Sequence, residues 1–173
     1  MLQLTDFLIN SILDLRWLMK TRIKNLKISY HDNIDSELFE FITQNNSKEL
    51  FQRDLSDFKW ILNNPWVISS DTIDSFSQKY YFSSVAKLFK FQPVSLKSEK
   101  GELLAFFLFV RRNNQLKIAY FYAKPGNEKN LLETIKHLVA NWKISTLTVY
   151  HPELKDLLAK NKGPELLKKE PIN

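Results

Sequence analysis

The sequence predicts an α+β fold in which a mixed β-sheet is covered by helices on both faces. Residues 103–110 are apolar throughout, which is typical of a strand that is buried on both sides. A tight connection at residues 111–115 leads into a second strand at residues 116–123, so these two strands are expected to be antiparallel. An amphipathic helix separates them from a third strand at residues 144–150, and such a crossover makes neighbouring strands parallel.

Composition places the 173-residue chain among ordinary folded proteins of one domain. Hydrophobic residues make up 44% of it, and its 13 phenylalanines predict a core built largely from aromatic rings. The net charge of +6 is compatible with an anionic partner, but acidic residues are interspersed among the basic ones, which favours a solvated basic surface. Because the chain has no cysteine, disulfides and thiolate chemistry are excluded, and we expect a cytoplasmic protein without a membrane span.

The first part of the chain predicts a long amphipathic helix followed by a short strand. Thr5 or Asp6 caps a helix that fills most of residues 1–25, and its apolar stripe packs either on the core or on a partner domain. Residues 26–30 alternate apolar and polar side chains, as strands do.

Two further helices are expected before the main sheet. Asp35 or Ser36 caps the first, and the second covers residues 53–63. Trp60 and Trp66 lie near its end, where helical spacing favours burial in the core over an exposed stacking platform.

The remaining elements follow from local signals. Residues 69–77 are rich in Ser, Asp and Thr and predict a mobile loop. A strand at residues 93–97 joins the sheet through a turn that ends at Gly101, and Asn127 is expected to cap the crossover helix. Pro152 opens a last short helix. The predicted division of the chain is residues 1–25 as the N-terminal helix, 26–160 as the main domain and 161–173 as a polar tail.

Motifs with a defined chemistry are missing. His31, His137 and His151 are too far apart to form a helical pair of ligands, so no metal site is expected. No GxSxG, phosphate-binding or dinucleotide-binding loop occurs. Arg111 and Arg112 leave room for nucleic-acid binding, but no DNA- or RNA-binding module surrounds them.

The order of elements over residues 26–158 resembles the GNAT acyltransferase superfamily. The resemblance implies that backbone amides of strand 116–123 meet the pantetheine of an acyl-coenzyme A, and that the N-terminus of the following helix holds its pyrophosphate. It also implies that Tyr150 protonates the leaving thiolate. The residues that the resemblance assigns to the cofactor, acetyl-CoA or another acyl-CoA, are Tyr122, Ala123, Lys124, Gly126, Asn127, Lys129 and Asn130.

A narrower resemblance concerns residues 60–66 and 80–83. These stretches look like the second, C-terminal GNAT-like unit of two-domain bacterial acyltransferases. That match implies a partner domain, which the N-terminal helix would contact, or a chain that has lost such a domain.

The cofactor loop departs from the family's form R/Q-x-x-G-x-G/A. Residues 124–130 keep one glycine, Pro125 provides no amide, and Glu128 places a negative charge where the phosphates are expected. Strand 116–123 contains no carboxylate that would act as the base, and by strand alternation Tyr120 and Tyr122 face one side and Phe121 the other.

Two functional predictions therefore stay open. The first is an N-acyltransferase that uses an acyl-coenzyme A and an amine, with Tyr150 as the acid. The second is a non-catalytic GNAT-like domain that binds or scaffolds within a larger acyltransferase or a homodimer formed through the N-terminal helix. The sequence does not identify the acyl acceptor.

Overall fold

The computed structural model describes residues 25–46, 52–72 and 84–161. Apart from the short strand at residues 68–69, its strands and helices follow the order that the sequence predicts. The strands are β1 (Leu26–Tyr30), β2 (Ile68–Ser69), β3 (Val85–Ala86), β4 (Phe89–Ser98), β5 (Leu103–Arg112), β6 (Gln115–Ala123) and β7 (Thr146–Val149). The helices are α1 (Ser36–Asn45), α2 (Leu55–Asn63), α3 (Glu128–Asn141) and α4 (Pro152–Lys160).

Five of these strands form one mixed sheet in the order β1-β4-β5-β6-β7. Neighbours are antiparallel from β1 to β6, and β7 lies parallel to β6 after the crossover through α3. The predicted mixed sheet is thus confirmed. The two-residue strands β2 and β3 pair in parallel as a separate small sheet.

Helices cover both faces of the sheet, as predicted, and β5 supplies side chains to both cores. All residues from Leu103 to Val110 are at most 8% exposed. Phe106 and Leu108 belong to a first core layer, beneath α1 and α2, whereas Phe107 and Phe109 belong to a second core layer, beneath α3 and α4. The alternation of these neighbours between two layers explains why the strand is apolar at every position.

The connection between β5 and β6 is tighter than the sequence indicates. It consists of Asn113 and Asn114 alone, because Arg111 and Arg112 still belong to β5 and Gln115 to β6. Asn113 has a φ of 53°, in the left-handed region that asparagine tolerates better than most residues. The Leu88 amide donates to its side-chain oxygen at 3.1 Å, which holds the turn against the preceding segment.

Short-range chemistry fixes the helix starts. Of the two candidate caps of α1, Asp35 is the cap, and its carboxylate accepts from the Leu38 amide at 2.9 Å. Helix α2 begins at Leu55 instead of residue 53, because Asp54 forms a reciprocal capping box with Asp57.

Several sequence predictions are either wrong or fall outside the described residues. Trp60 and Trp66 are 65% and 60% exposed, so their predicted burial is wrong. Ile68–Ser69 pairs with β3, and therefore the predicted loop starts after a strand. The helix in residues 1–25, the segment 80–83, most of the predicted loop and nearly all of the tail lie outside the described residues. Within the described ranges, no helix is both long and apolar enough to cross a membrane.

Candidate functional site

A gap opens in the sheet where β6 and β7 stop pairing. The parallel register ends at Ile118 opposite Val149, although β6 continues to Ala123. At a rise of about 3.4 Å per residue, the rest of β6 extends roughly 17 Å beyond the last pair. Within the described part of the chain, that length of β6 has a neighbouring strand only on its β5 side.

A β-bulge coincides with the start of this gap. Phe109 lies opposite Ile118 and Leu108 lies opposite Tyr120, so Ala119 is an extra residue in β6. As a result Ala119 and Tyr120 both pack against the first core layer, and regular alternation resumes afterwards. Bulges often lie next to active sites because they redirect the strand and its side chains.

Past the bulge, the side chains of β6 lie as the sequence predicts. Tyr120 and Tyr122 belong to the first core layer and Phe121 to the second. Tyr122 is only 3% exposed, and its ring stacks on Phe106 with 6.4 Å between centroids.

Backbone groups of β6 point into the gap. The Lys124 amide donates to the Leu104 carbonyl of β5 at 2.9 Å. Because successive amides of a strand point to opposite sides, the amides of Phe121 and Ala123 face away from β5. They are directed to the side on which β7 has ended.

The loop between β6 and α3 is a turn around Gly126, whose φ is 82°. Only glycine adopts such an angle without steric strain. Asn127 stands at the start of α3, but the predicted side-chain cap is absent, because its side-chain oxygen accepts from the Asn130 side chain instead of a backbone amide. Its NH2 group donates to the carbonyls of Lys124 and Pro125 at 3.1 and 3.4 Å. The first turn of α3 therefore has no side-chain cap, and its free amides and helix dipole favour an anion there.

An acidic side chain already occupies part of this anion site. Glu128 accepts a hydrogen bond from the Gly126 amide at 3.2 Å, so its carboxylate lies at the helix start itself. Lys124 pairs with Glu102 at 2.7 Å, and the hydrogen bond and charge of that lysine lower the pKa of the Glu102 carboxyl. An anion that approaches this loop therefore encounters one carboxylate at the helix start and one lysine that is already paired.

The other predicted cofactor residues lie along the first turn of α3. Asn130 donates from its side chain to the Asn127 side-chain oxygen at 3.3 Å. Lys129 is exposed, and its ammonium lies 4.0 Å from Glu133 one turn later. The structure thus brings the seven predicted residues together as one continuous segment at the end of β6.

Tyr150 lies directly after the last paired residue of β7, at the entrance to the gap. Its side chain is 68% exposed, and the Lys117 ammonium is 4.8 Å from the centre of its ring. Lys117 precedes the bulge, so the tyrosine and the loop at residue 124 are at opposite ends of the unpaired part of β6.

Sequence reasoning missed two side chains near the gap. His151 packs edge-on against Phe121, with 5.2 Å between ring centroids and an angle of 84°. Arg53 places its guanidinium 5.3 Å from the ring centre of Tyr120 at the bulge. His151 directly follows a candidate catalytic residue, which was an available signal, whereas nothing in the sequence links Arg53 to Tyr120.

The histidines do not converge. His31 shares a 2.8 Å hydrogen bond with the buried Ser95, and Asn141 contacts the His137 ring at 2.7 Å. Across residues 25–46, 52–72 and 84–161, no group of three or more His, Cys, Asp or Glu side chains is arranged to hold a metal ion.

Comparison with known proteins identifies the class of fold. No family model matches the sequence, and no curated protein matches it. The crystal structure of a ribosomal-protein-alanine N-acetyltransferase from Brucella melitensis biovar Abortus 2308 is similar, with a TM-score of 0.51 and 12% identity. The match covers 86% of this chain and 98% of that one, so the two proteins share a fold over nearly the whole enzyme. The chain has a GNAT-like fold.

Proposed function

We propose that this chain is a GNAT-like domain that binds an acyl-coenzyme A in the gap between β6 and β7 and transfers the acyl group to an amine. One observation carries the proposal. The unpaired part of β6 presents amides along the gap and leads directly into the uncapped first turn of α3. Strand amides fit the amide groups of pantetheine, and a helix N-terminus fits a pyrophosphate.

The proposed roles follow the order of residues along the gap. Ala123 offers its amide to the pantetheine, and Gly126, Asn127, Lys129 and Asn130 surround the pyrophosphate together with Lys124. Tyr122 supports this strand from the first core layer. Tyr150, at the other end, protonates the leaving thiolate.

Calorimetric titration with acetyl-coenzyme A at millimolar concentration tests cofactor binding. We expect measurable heat and weak affinity, because Glu128 competes for the anion site and Pro125 removes an amide. Absence of heat at that concentration would remove the cofactor and the proposal with it.

Amide NMR spectra recorded during the same titration locate the ligand. We expect the largest shifts at Ala123, Gly126, Lys129 and Asn130. Strand β1 is an internal reference, because it forms the opposite edge of the sheet from β7. Shifts that are confined to β1 would contradict the proposed site.

The acyl acceptor needs a separate assay. The similar enzyme is described by its action on a ribosomal protein's alanine, so a short peptide with an N-terminal alanine is a reasonable first amine. Mass spectrometry should detect a gain of one acetyl group on the peptide when the chain and acetyl-coenzyme A are both present.

A second function rests on the state of the loop. Glu128 fills part of the anion site, Lys124 is paired with Glu102, and β6 carries no carboxylate to serve as a base. These features favour a non-catalytic domain that binds or scaffolds within a larger acyltransferase or a homodimer. A monomer in light scattering that binds coenzyme A tightly would contradict this alternative.

A further inference from the structure

His151 stands beside the gap on the side where β7 has ended. Val149 pairs with Ile118, and the extra residue in the bulge brings the register of His151 level with Phe121. The two rings do meet, edge to face, at 5.2 Å. The backbones of β6 and β7 therefore separate while these two side chains close one wall of the gap.

The Nδ1 atom of His151 is buried and has no hydrogen-bond partner among the described residues. The residue occupies the position before α4, yet its side chain does not cap that helix. A buried polar atom without a partner has lost its hydration without compensation, and native proteins seldom retain one without a role. Because Nδ1 lies beside the proposed substrate gap, a bound substrate could supply the hydrogen-bond partner that it lacks.

Tyr150 and His151 flank the gap from opposite faces. Successive side chains of an extended segment point in opposite directions. Tyr150 lies beneath the Lys117 ammonium, whereas His151 lies against Phe121 of the second core layer. A proton acceptor and a proton donor are thus placed on either side of one opening.

We propose that His151 is the proton-accepting catalytic residue of this domain, in place of the carboxylate that β6 lacks. The inference rests on the proposed acyl transfer. With its own proton on Nε2, the neutral imidazole takes the proton that the attacking amine releases as the C–N bond forms, and an imidazole is suited to this near neutral pH. The electron pair of the breaking C–S bond stays on sulfur, which receives a proton from Tyr150. Tyr150 is 68% exposed and regains its proton from solvent, and the His151 imidazolium gives up a proton after the products have left the gap.

Bromoacetyl-coenzyme A tests the position of His151 without any acyl acceptor. Its bromomethyl carbon adjoins the thioester carbonyl, so attack by Nδ1 forms a C–N bond and releases bromide. The chain has no cysteine to intercept the reagent. We expect tandem mass spectrometry to place the adduct on His151 within the tryptic peptide of residues 144–155, and an excess of coenzyme A to prevent it.

Two variants of the intact chain serve as a matched pair. His151→Gln should abolish the adduct on this peptide, and His137→Gln should leave it unchanged because His137 lies on α3 against Asn141. With acetyl-coenzyme A and the alanine peptide, His151→Gln should lower the rate by about 100-fold or more while coenzyme affinity stays within about twofold.

Calorimetry with coenzyme A separates the two proposals. Heat of binding without an adduct on His151 overturns the role of His151 and leaves the proposed function standing. An equal rate for His151→Gln and the unmodified chain overturns it as well. If coenzyme A gives no heat at millimolar concentration, the proposed function fails and the role of His151 fails with it.

Discussion

Glu128 shows how one side chain sets the electrostatics of a whole loop. Its carboxylate accepts from the Gly126 amide at 3.2 Å, in the region where an uncapped helix start attracts anions. A phosphate that enters this region must displace the carboxylate and withstand its charge. The same residue thus stabilises the ligand-free loop and weakens the proposed binding site.

Replacing Glu128 by Gln should strengthen coenzyme A binding about threefold to tenfold, because the repulsion at the helix start is relieved. Calorimetry on the variant and the unmodified chain measures the change. Glu40→Gln is the matched control, since it removes the same charge from α1, which packs on the first core layer. Equal affinities for the Glu128 variant and the unmodified chain would place the phosphates elsewhere.

The sequence predicts the position of a residue when neighbours along the chain determine it, and fails when contacts between separate elements do. The sequence proposed Tyr150 and residues 124–130 as site residues through the resemblance of its element order to the GNAT superfamily, and these assignments stay predictions. It could not assign His151 to Phe121, since that contact depends on the extra residue at Ala119. The bulge lies in the β5–β6 hairpin, and no local residue pattern marks Ala119 as the extra residue.

At the scale of elements, local chemistry decided the boundaries. Asp54 starts α2 because its carboxylate accepts from the Asp57 amide at 2.8 Å and Asp57 returns the contact to the Asp54 amide. Asn113 shortens the connection after β5 because it accepts a left-handed φ. Apolar periodicity predicted both elements but could not give their ends, since polar residues determine where each one stops.

Asp54→Ala should lower the melting temperature at pH 7 by a few degrees, because the first turn of α2 loses its cap. Hydrogen bonds from the Ser56 hydroxyl and the Asp57 amide lower the pKa of the Asp54 carboxyl below its ordinary 3.8. Because this pKa is lower in the folded than in the unfolded state, the charged carboxylate stabilises the fold at any pH above the unfolded-state pKa. The stabilisation is lost as the pH falls through the folded-state pKa. Thermal melts should therefore show a full difference above about pH 4 and a shrinking one below it.

The matched control is Asp32→Ala, which removes an aspartate whose side chain is 91% exposed and which lies between β1 and the Asp35 cap of α1. Its melting temperature should follow that of the unmodified chain at every pH. A difference for Asp54→Ala that stays constant down to pH 2 would show that the carboxylate is not the source of the stabilisation.

At the scale of the molecule, two core layers share one sheet. Phe106 and Phe107 are neighbours in β5, both are fully buried, and they face opposite layers. The sequence predicted this arrangement from an uninterrupted apolar strand. It could not assign the layers, because the choice of face depends on which helices return to which side of the sheet.

Because both layers depend on β5, Phe106→Ala and Phe107→Ala should each destabilise the whole domain by about 3–5 kcal/mol. Urea unfolding of variants that keep a single tryptophan measures the loss of stability. Trp66 contacts Phe91 and reports on the first layer, whereas Trp142 contacts Phe109 and reports on the second. Both probes should show one shared transition in either variant, since a common strand makes the layers unfold together. Ile68→Ala, at an exposed position, should change stability by less than about 0.5 kcal/mol. If Trp66 reports unfolding at a lower urea concentration than Trp142, the two layers unfold independently. The gap between β6 and β7 would then persist after the first core layer has unfolded.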